Sequence, residues 1–340
     1  KIIFWFEELD EKHNDLVGKK CANLGQMIHL GMRVPPGFAI SLELYKQFLA
    51  QTGAGREMEA YVKSLGDLKG AGIATFDEVS ERCQTMILSR SLPPGIDQLV
   101  KEYYEKLCKK LGLPDAAVSV RSAGTESRPG MFETYLNVRG LPDLLNKIKK
   151  VWASAFTTRA VAFRVNKGLP IIGDELGVAI PKMVNSRSSG VTFTVDPVTG
   201  DTSKVILESN WGLGEGVVSG SGSVDGFIVD KDSLAILTRH IGHKTQCVVN
   251  QKRGAEWVNV PAEMQQMASL DDAEVLEISK IAKTVEERLG RPQDMEWAVD
   301  VDLPFPENIF WLQTRPAKVQ IKKTVSTTDR IIDLLTKRYQ

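Results

Sequence analysis

The chain has 340 residues, 42% of them hydrophobic, with 43 Lys plus Arg balanced by 43 Asp plus Glu. That is the composition of an ordinary globular protein, long enough for two domains or one large two-lobed domain. A formal charge of zero argues against nucleic acid or an anionic membrane as the main partner, so any phosphate chemistry must rest on a local positive site. No apolar run approaches the ~20 residues that cross a bilayer, and Lys1-Ile2-Ile3-Phe4-Trp5-Phe6 is too short and strand-like for a signal peptide. Cys21, Cys83, Cys108 and Cys247 stand far apart with no C-x-x-C pair, as free thiols of a reducing cytosol do. A soluble cytoplasmic protein is expected; the missing initiator Met leaves room for a few residues upstream.

In chain order, the first residues read as a short strand followed by a polar loop to Gly18. Residues 20–31 read as a helix: Ala22, Leu24, Met27, Ile28 and Leu30 form its apolar stripe and Gly31 ends it. Val34-Pro35-Pro36-Gly37 turns the chain into the strand Phe38-Ala39-Ile40. Ser41 then offers an N-cap for a helix carrying Leu44, Tyr45, Phe48 and Leu49. Helices follow near 76–90 and 95–111, a strand at 116–122, and one long helix over about 141–167. From about 178 the pattern changes to short β-branched runs (178–184, 191–195, 204–208, 226–230 and 245–250), mostly antiparallel strands by their Gly and Asp spacing. A helix at 272–289, capped by Asp271 or Asp272, precedes two strands at 294–301 and 309–314. The fold class expected is α+β with two lobes: an N-terminal lobe over 1–185, a C-terminal lobe over 186–317, and a helical tail over 318–340 with Ile331, Ile332, Leu334 and Leu335 on one side.

The last two strands carry the sharpest chemical signal. Alternation puts Asp294 and Glu296 on one face of the first and Gln313 and Arg315 on one face of the second. A hairpin loop over 302–308 would join these faces into one patch of two carboxylates, an amide oxygen and a guanidinium. Such oxygens suit Mg²⁺, which keeps waters and phosphate among its ligands, and Arg makes bidentate contacts to phosphate. A solvated sheet face with an Asp–Arg cross-strand pair is the plain alternative. Next, Ser119-Val120-Arg121-Ser122-Ala123-Gly124-Thr125-Glu126-Ser127, running on to Pro129-Gly130, sets an Arg at a strand end before hydroxyl and glycine residues, the make-up of a phosphate-gripping loop or of a flexible surface loop. Gly18-Lys19-Lys20 places a lysine where a helix starts. Trp211 through Gly222 is rich in glycine but holds no P-loop and no dinucleotide fingerprint. His240 and His243 lack any Cys/His metal spacing, and no G-x-S-x-G elbow occurs.

Taken together and in this order, Gly18–Gly25, Val34–Phe38, Val118–Ala123, Pro129–Asn137, Gly190–Asp196, Trp211–Gly220 and Arg291–Trp297 through Leu312–Pro316 resemble the nucleotide-binding domain of the phosphoenolpyruvate synthase and pyruvate phosphate dikinase family, an ATP-grasp-type fold. The resemblance covers residues 5–316. It implies that Lys20 and Arg121 hold the ATP phosphates and that Thr134, in Met131-Phe132-Glu133-Thr134, adds a hydroxyl. Glu296 and Gln313 would ligate Mg²⁺ with Asp294 close by, and Arg315 would meet the transferring phosphates. Lys20, Arg121 and Arg315 are thus the candidate catalytic residues, Lys182-Met183-Val184 would face adenine, and a monovalent cation is a further cofactor the resemblance admits. Gly222-Ser223-Val224-Asp225-Gly226 departs from the family's usual proline-containing sequence, which puts contacts there in doubt.

In this family the β,γ-diphosphate of ATP passes to a histidine on a swivelling domain, within a Thr-Ser-His type motif. None of His13, His29, His240 and His243 lies in such a motif, so the resemblance implies a histidine-bearing partner domain or subunit. The amphipathic tail favours a natural subunit over an excised fragment and, with it, a split enzyme resembling phenylphosphate synthase, with phenol as acceptor. A phosphoenolpyruvate synthase or dikinase module acting on pyruvate is the alternative, followed by a rifampin phosphotransferase-like one. A non-catalytic ATP-sensing module is the reading from a different class.

Overall fold

The computed structural model of the chain describes residues 1–126, 130–218, 223–251 and 254–318. The expected tail helix, Ser127 and Pro129 of the Arg121 loop, and Ser219 to Gly222 lie outside the described residues.

Two antiparallel sheets organise the chain. The first joins β1 (Ile3–Trp5), β2 (Gly37–Ile40), β3 (Val118–Ala123), β4 (Thr134–Val138) and β5 (Gly177–Pro181) in the order β1-β2-β5-β3-β4. Around it lie α1 (Asn14–Val17), α2 (Lys19–His29), α3 (Leu42–Thr52), α4 (Ala54–Leu65), α5 (Ile73–Leu88), α6 (Pro94–Leu111), α7 (Leu141–Ala153) and α8 (Thr158–Lys167). The second part holds β6 (Ser186–Phe193), β7 (Lys204–Trp211), β8 (Asp225–Asp230), β9 (Ile236–His240), the separate hairpin β10 (Gln246–Gln251) and β11 (Gly254–Asn259), and finally β12 (Gln293–Asp300) and β13 (Ile309–Pro316). Its sheet runs β13-β12-β6-β7-β8-β9, with α9 (Glu215–Val218) and α10 (Asp272–Leu289) beside it. The chain changes sheets between Pro181 and Ser186.

One apolar core belongs to the first sheet and its helices, centred on Phe48, Leu107, Val151 and Trp152. A second runs from α2 (Leu24, Met27) and the small residues Ala123 and Ala179 of the first sheet to Trp297, Trp311 and the α10 residues Ile278 and Ala282. This shared core keeps α2 pressed against both sheets. α10 starts as expected at Asp271, whose carboxylate accepts from Glu274 N while Glu274 reaches back to Asp271 N, a reciprocal cap.

The architecture is the expected α+β one, with local corrections. The long helix over 141–167 is two helices, broken by a 3-10 turn at Ser154–Phe156 and restarted by Thr157, whose hydroxyl accepts from Ala160 N. α4 had no counterpart among the expected elements, and neither did β4, β9 or β11. Ser41 does precede α3, but its side chain makes no capping bond.

Candidate functional site

The β12–β13 hairpin brings its polar residues together as the alternation requires. Asp294 lies opposite Arg315 and Glu296 opposite Gln313. Arg315 Nε donates to Asp294 Oδ2 at 2.6 Å, and Gln313 Nε2 to Glu296 Oε1 at 3.3 Å. Strict alternation would also put Trp311 beside Gln313, yet Trp311 is fully buried in the core with Trp297. A bulge resolves the conflict: the register steps from Glu296↔Gln313 to Trp297↔Trp311, leaving Leu312 as the extra residue. Leu312 therefore shares the site face with Gln313 and packs near Val184, Ala298 and Phe310.

The basic residues come from the first sheet and α2. Gly18, at φ +82°, has Ala123 O 2.1 Å from where a Cβ would sit, so only glycine lets the start of α2 lie against the end of β3. Lys19 N donates to Gly124 O at 2.8 Å and Asn14 Nδ2 to Thr125 O at 3.3 Å, which fixes the Arg121 loop to this junction. Lys20, Arg121 and Gln313 then line one small pocket between the sheets together with Asn23 and Leu312. Burial, and after it the Arg121 guanidinium, push the Lys20 ammonium down to about 8, against the pull of Cys21 and Glu296. Thr134 is the cross-strand partner of Arg121 and is exposed.

The linker between the sheets lies at the other end of the same hairpin face. Val184 is buried against Ala298 and Phe310. Lys182 Nζ is 3.4 Å from Asp300 Oδ2 and 5.9 Å from the Phe310 ring centroid. Met183 N donates to Ala117 O at 2.8 Å, and its side chain is partly exposed. Of the ten expected site residues, Lys20, Arg121 and Gln313 share one pocket, Glu296, Asp294 and Arg315 adjoin it along the hairpin, Thr134 lies opposite Arg121, and Lys182 to Val184 lie on the linker beside Ala298, Asp300 and Phe310.

The acidic end fits a hard cation. Asp294 Oδ1 is buried with no hydrogen-bond partner among the described residues, while its other oxygen takes Arg315. With Glu296 and the Gln313 amide it makes an all-oxygen donor set of the kind Mg²⁺ accepts. Among the described residues no three His, Cys, Asp or Glu side chains form a metal cage by themselves, so such a cation also needs oxygens from a ligand or water. Two contributors went unread in the sequence. Asp300, fully buried, accepts from Lys182 and from Asn185 N; its signal was period-2 continuation from Glu296. Asn23, one helical turn after Lys20, accepts from Thr314 N.

The pyruvate phosphate dikinase AMP/ATP-binding domain model matches residues 14–334. The chain is 38% identical over 344 residues to the probable phosphoenolpyruvate synthase of Staphylothermus marinus, covering 93% of this chain and 41% of that protein. To the phosphoenolpyruvate synthase of Aeropyrum pernix it is 34% identical over 356 residues, covering 95% and 43%. It therefore spans less than half the length of these relatives. A biotin carboxylase–ATP complex from Campylobacter jejuni superposes with a TM-score of only 0.36 at 15% identity, over 94% of this chain and 44% of that one; the assignment rests on sequence. With the family model matching residues 14–334 and relatives 34–38% identical over more than nine-tenths of the chain, this protein belongs to the pyruvate phosphate dikinase AMP/ATP-binding domain family.

Proposed function

We propose that this chain binds Mg-ATP in the cleft between lobes 1–185 and 186–317 and presents its β,γ-diphosphate to a histidine on a separate domain or subunit, in a phosphoenolpyruvate synthase-type reaction. A histidine nitrogen attacks the β-phosphorus, the bond from that phosphorus to the α,β-bridging oxygen breaks, and AMP leaves with the electron pair. The observation that carries the reading is the convergence of Lys20, Arg121 and Gln313 in one pocket, with Gln313 bonded to Glu296.

Lys20 and Arg121 hold the β- and γ-phosphate oxygens, and Arg315, braced by Asp294, stabilises charge that develops during transfer. Glu296, Gln313 and Asp294 would hold Mg²⁺, which would supply charge neutralisation at the phosphates. Thr134 adds a hydroxyl donor, and the Lys182-Met183-Val184 linker with Leu312 and Phe310 forms the adenine wall. The names of the relatives support pyruvate as the final acceptor, and nothing among them supports the phenol of a phenylphosphate synthase. A reducing cytosol suits the four buried free cysteines.

The test combines this chain, Mg-ATP and the isolated histidine domain of a phosphoenolpyruvate synthase relative. AMP is expected to appear in step with labelled, acid-labile phosphohistidine, and only when that domain is present. AMP that forms equally without it, or no Mg-ATP binding at millimolar concentration, overturns the reading.

A further inference from the structure

β13 is an edge strand, and the N–H groups on its outer side have no neighbouring strand to bond. The described residues account for them in an unusual way. Beyond Ile309, whose N–H donates within its own turn to Pro306 O at 3.4 Å, Trp311 N donates to Arg33 O at 2.8 Å, Thr314 N donates to Asn23 Oδ1 at 3.2 Å, and Pro316 has no N–H to satisfy. The bulge at Leu312 sets the two donors three residues apart instead of two. Both acceptors belong to α2 or to the turn just after it, so the edge of the second sheet is closed by the segment that carries Lys20.

Asn23 is the one side chain in this pair of acceptors. It stands three residues from Lys20 on α2, where side chains share a helix face, and both line the same pocket. The N–H that donates to it, Thr314 N, lies between Gln313 and Arg315. The Thr314 hydroxyl is held on the opposite side by Gln293 Oε1 at 3.0 Å, so Thr314 is pinned from both directions. Elsewhere α2 is tied to the second part by Arg288 Nη1 donating to Leu30 O at 2.8 Å, beyond the far end of the helix. Loss of the Asn23 bond would therefore loosen the polar end of the cleft selectively.

We propose that Asn23 is a positioning residue that fixes Lys20 in register with Gln313 and Arg315 by tying α2 to the edge of β13. The role rests on the nucleotide reading above. It acts on the β,γ-phosphate end of the cleft and leaves the adenosine end, at Val184 and Phe310, untouched.

The experiment compares the unaltered chain with Asn23→Ala and Asn23→Asp by hydrogen exchange of segment 309–316, calorimetric binding of Mg-ATP and of AMP, and thermal melting. AMP reads the adenosine end alone. Asn23→Ala is expected to speed exchange of 309–316 and to weaken Mg-ATP about tenfold, the worth of one hydrogen bond, with AMP affinity within about twofold. Asn23→Asp keeps an acceptor at the same reach and is expected to return the protection. Unchanged exchange and unchanged Mg-ATP affinity in Asn23→Ala would overturn the proposal. Equal losses for Mg-ATP and AMP, together with a lower melting temperature, would overturn it in favour of a general packing role. If the unaltered chain binds no Mg-ATP, the nucleotide reading falls and the positioning role with it, while exchange still reports whether the tether exists.

Discussion

The proposed nucleotide cleft has two antiparallel ribbons for its walls, and they are held in different ways. In β12–β13 the site residues face each other across the strands and hold each other: Arg315 bonds Asp294, and Gln313 bonds Glu296. In β3–β4 Arg121 faces an exposed Thr134, the register slips between Val118 and Val120, and the connection runs through a Gly- and Ser-containing loop. The acidic wall is thus ordered by its own sheet. The basic wall borrows its order from elsewhere, through the contacts of Asn14 and Lys19 to Thr125 and Gly124. Electrostatic catalysis needs donors and charges fixed before the reaction, so the two walls should fail in different ways when altered.

The largest effect is expected on the self-ordered wall. Glu296→Ala or Arg315→Ala should cut phosphotransfer to the histidine domain by about 10²–10³, the worth of a preorganised charge at the reacting group. Circular dichroism and melting should remain near those of the unaltered chain. Full activity in either variant would remove the hairpin from the site. On the borrowed wall, Gly18→Ala brings a Cβ to 2.1 Å from Ala123 O at a positive φ, so α2 must back away from β3. A stability loss of about 2 kcal/mol or more is expected from such strain. Mg-ATP binding should weaken alongside it, measured by calorimetry at a temperature where the variant is folded. Unaltered Mg-ATP affinity in a clearly destabilised Gly18→Ala would show that the basic wall does not depend on this junction.

The two walls also differed in how legible they were in the sequence. The hairpin could be read because alternation is a local rule and the apolar partners Met295, Trp297 and Val299 leave no choice of face. The bulge at Leu312 was not readable, since Trp311 and Gln313 obey the same alternation until the core claims one of them. Helix 141–167 looked continuous because, after Pro142 in its first turn, no Gly or Pro occurs before Gly168. The break comes from a tertiary demand, with Ser154, Ala155 and Phe156 all buried. β9 and β11 were missed because they are mostly exposed, with Leu237 and Trp257 facing outward, and so show little hydrophobic contrast. Asn23 could not be found from sequence at all: its partner is a backbone N–H 291 residues away.

A smaller effect should come from pH. Burial and then Arg121 lower Lys20 from its usual 10.5 to about 8 in the folded chain. The unfolded chain therefore holds the extra proton between about 8 and 10.5, so the contribution of this group to stability rises with pH across that window. Binding runs the other way. Above about 8 the free protein loses the Lys20 charge, and Mg-ATP affinity should decline by several-fold there (~1 kcal/mol). Lys20→Arg, which stays charged throughout, should flatten the decline. A decline of the same size in Lys20→Arg would assign it to another group.

The smallest effect separates the walls most directly. Thr134 lies opposite Arg121 but stays exposed, so water replaces its hydroxyl bond at little cost. Thr134→Val keeps the shape and removes the donor, and should weaken Mg-ATP only about two- to fivefold, the net worth of one solvent-exposed hydrogen bond. AMP affinity should not move, because the β,γ-phosphates are what the hydroxyl would meet. Thr134→Ser should recover the loss, since it restores the hydroxyl without the methyl. If Thr134→Val instead costs as much as Arg121→Ala in the same assay, the ribbon closes around the nucleotide and becomes as ordered as the hairpin. The asymmetry between the walls would then not persist once nucleotide binds.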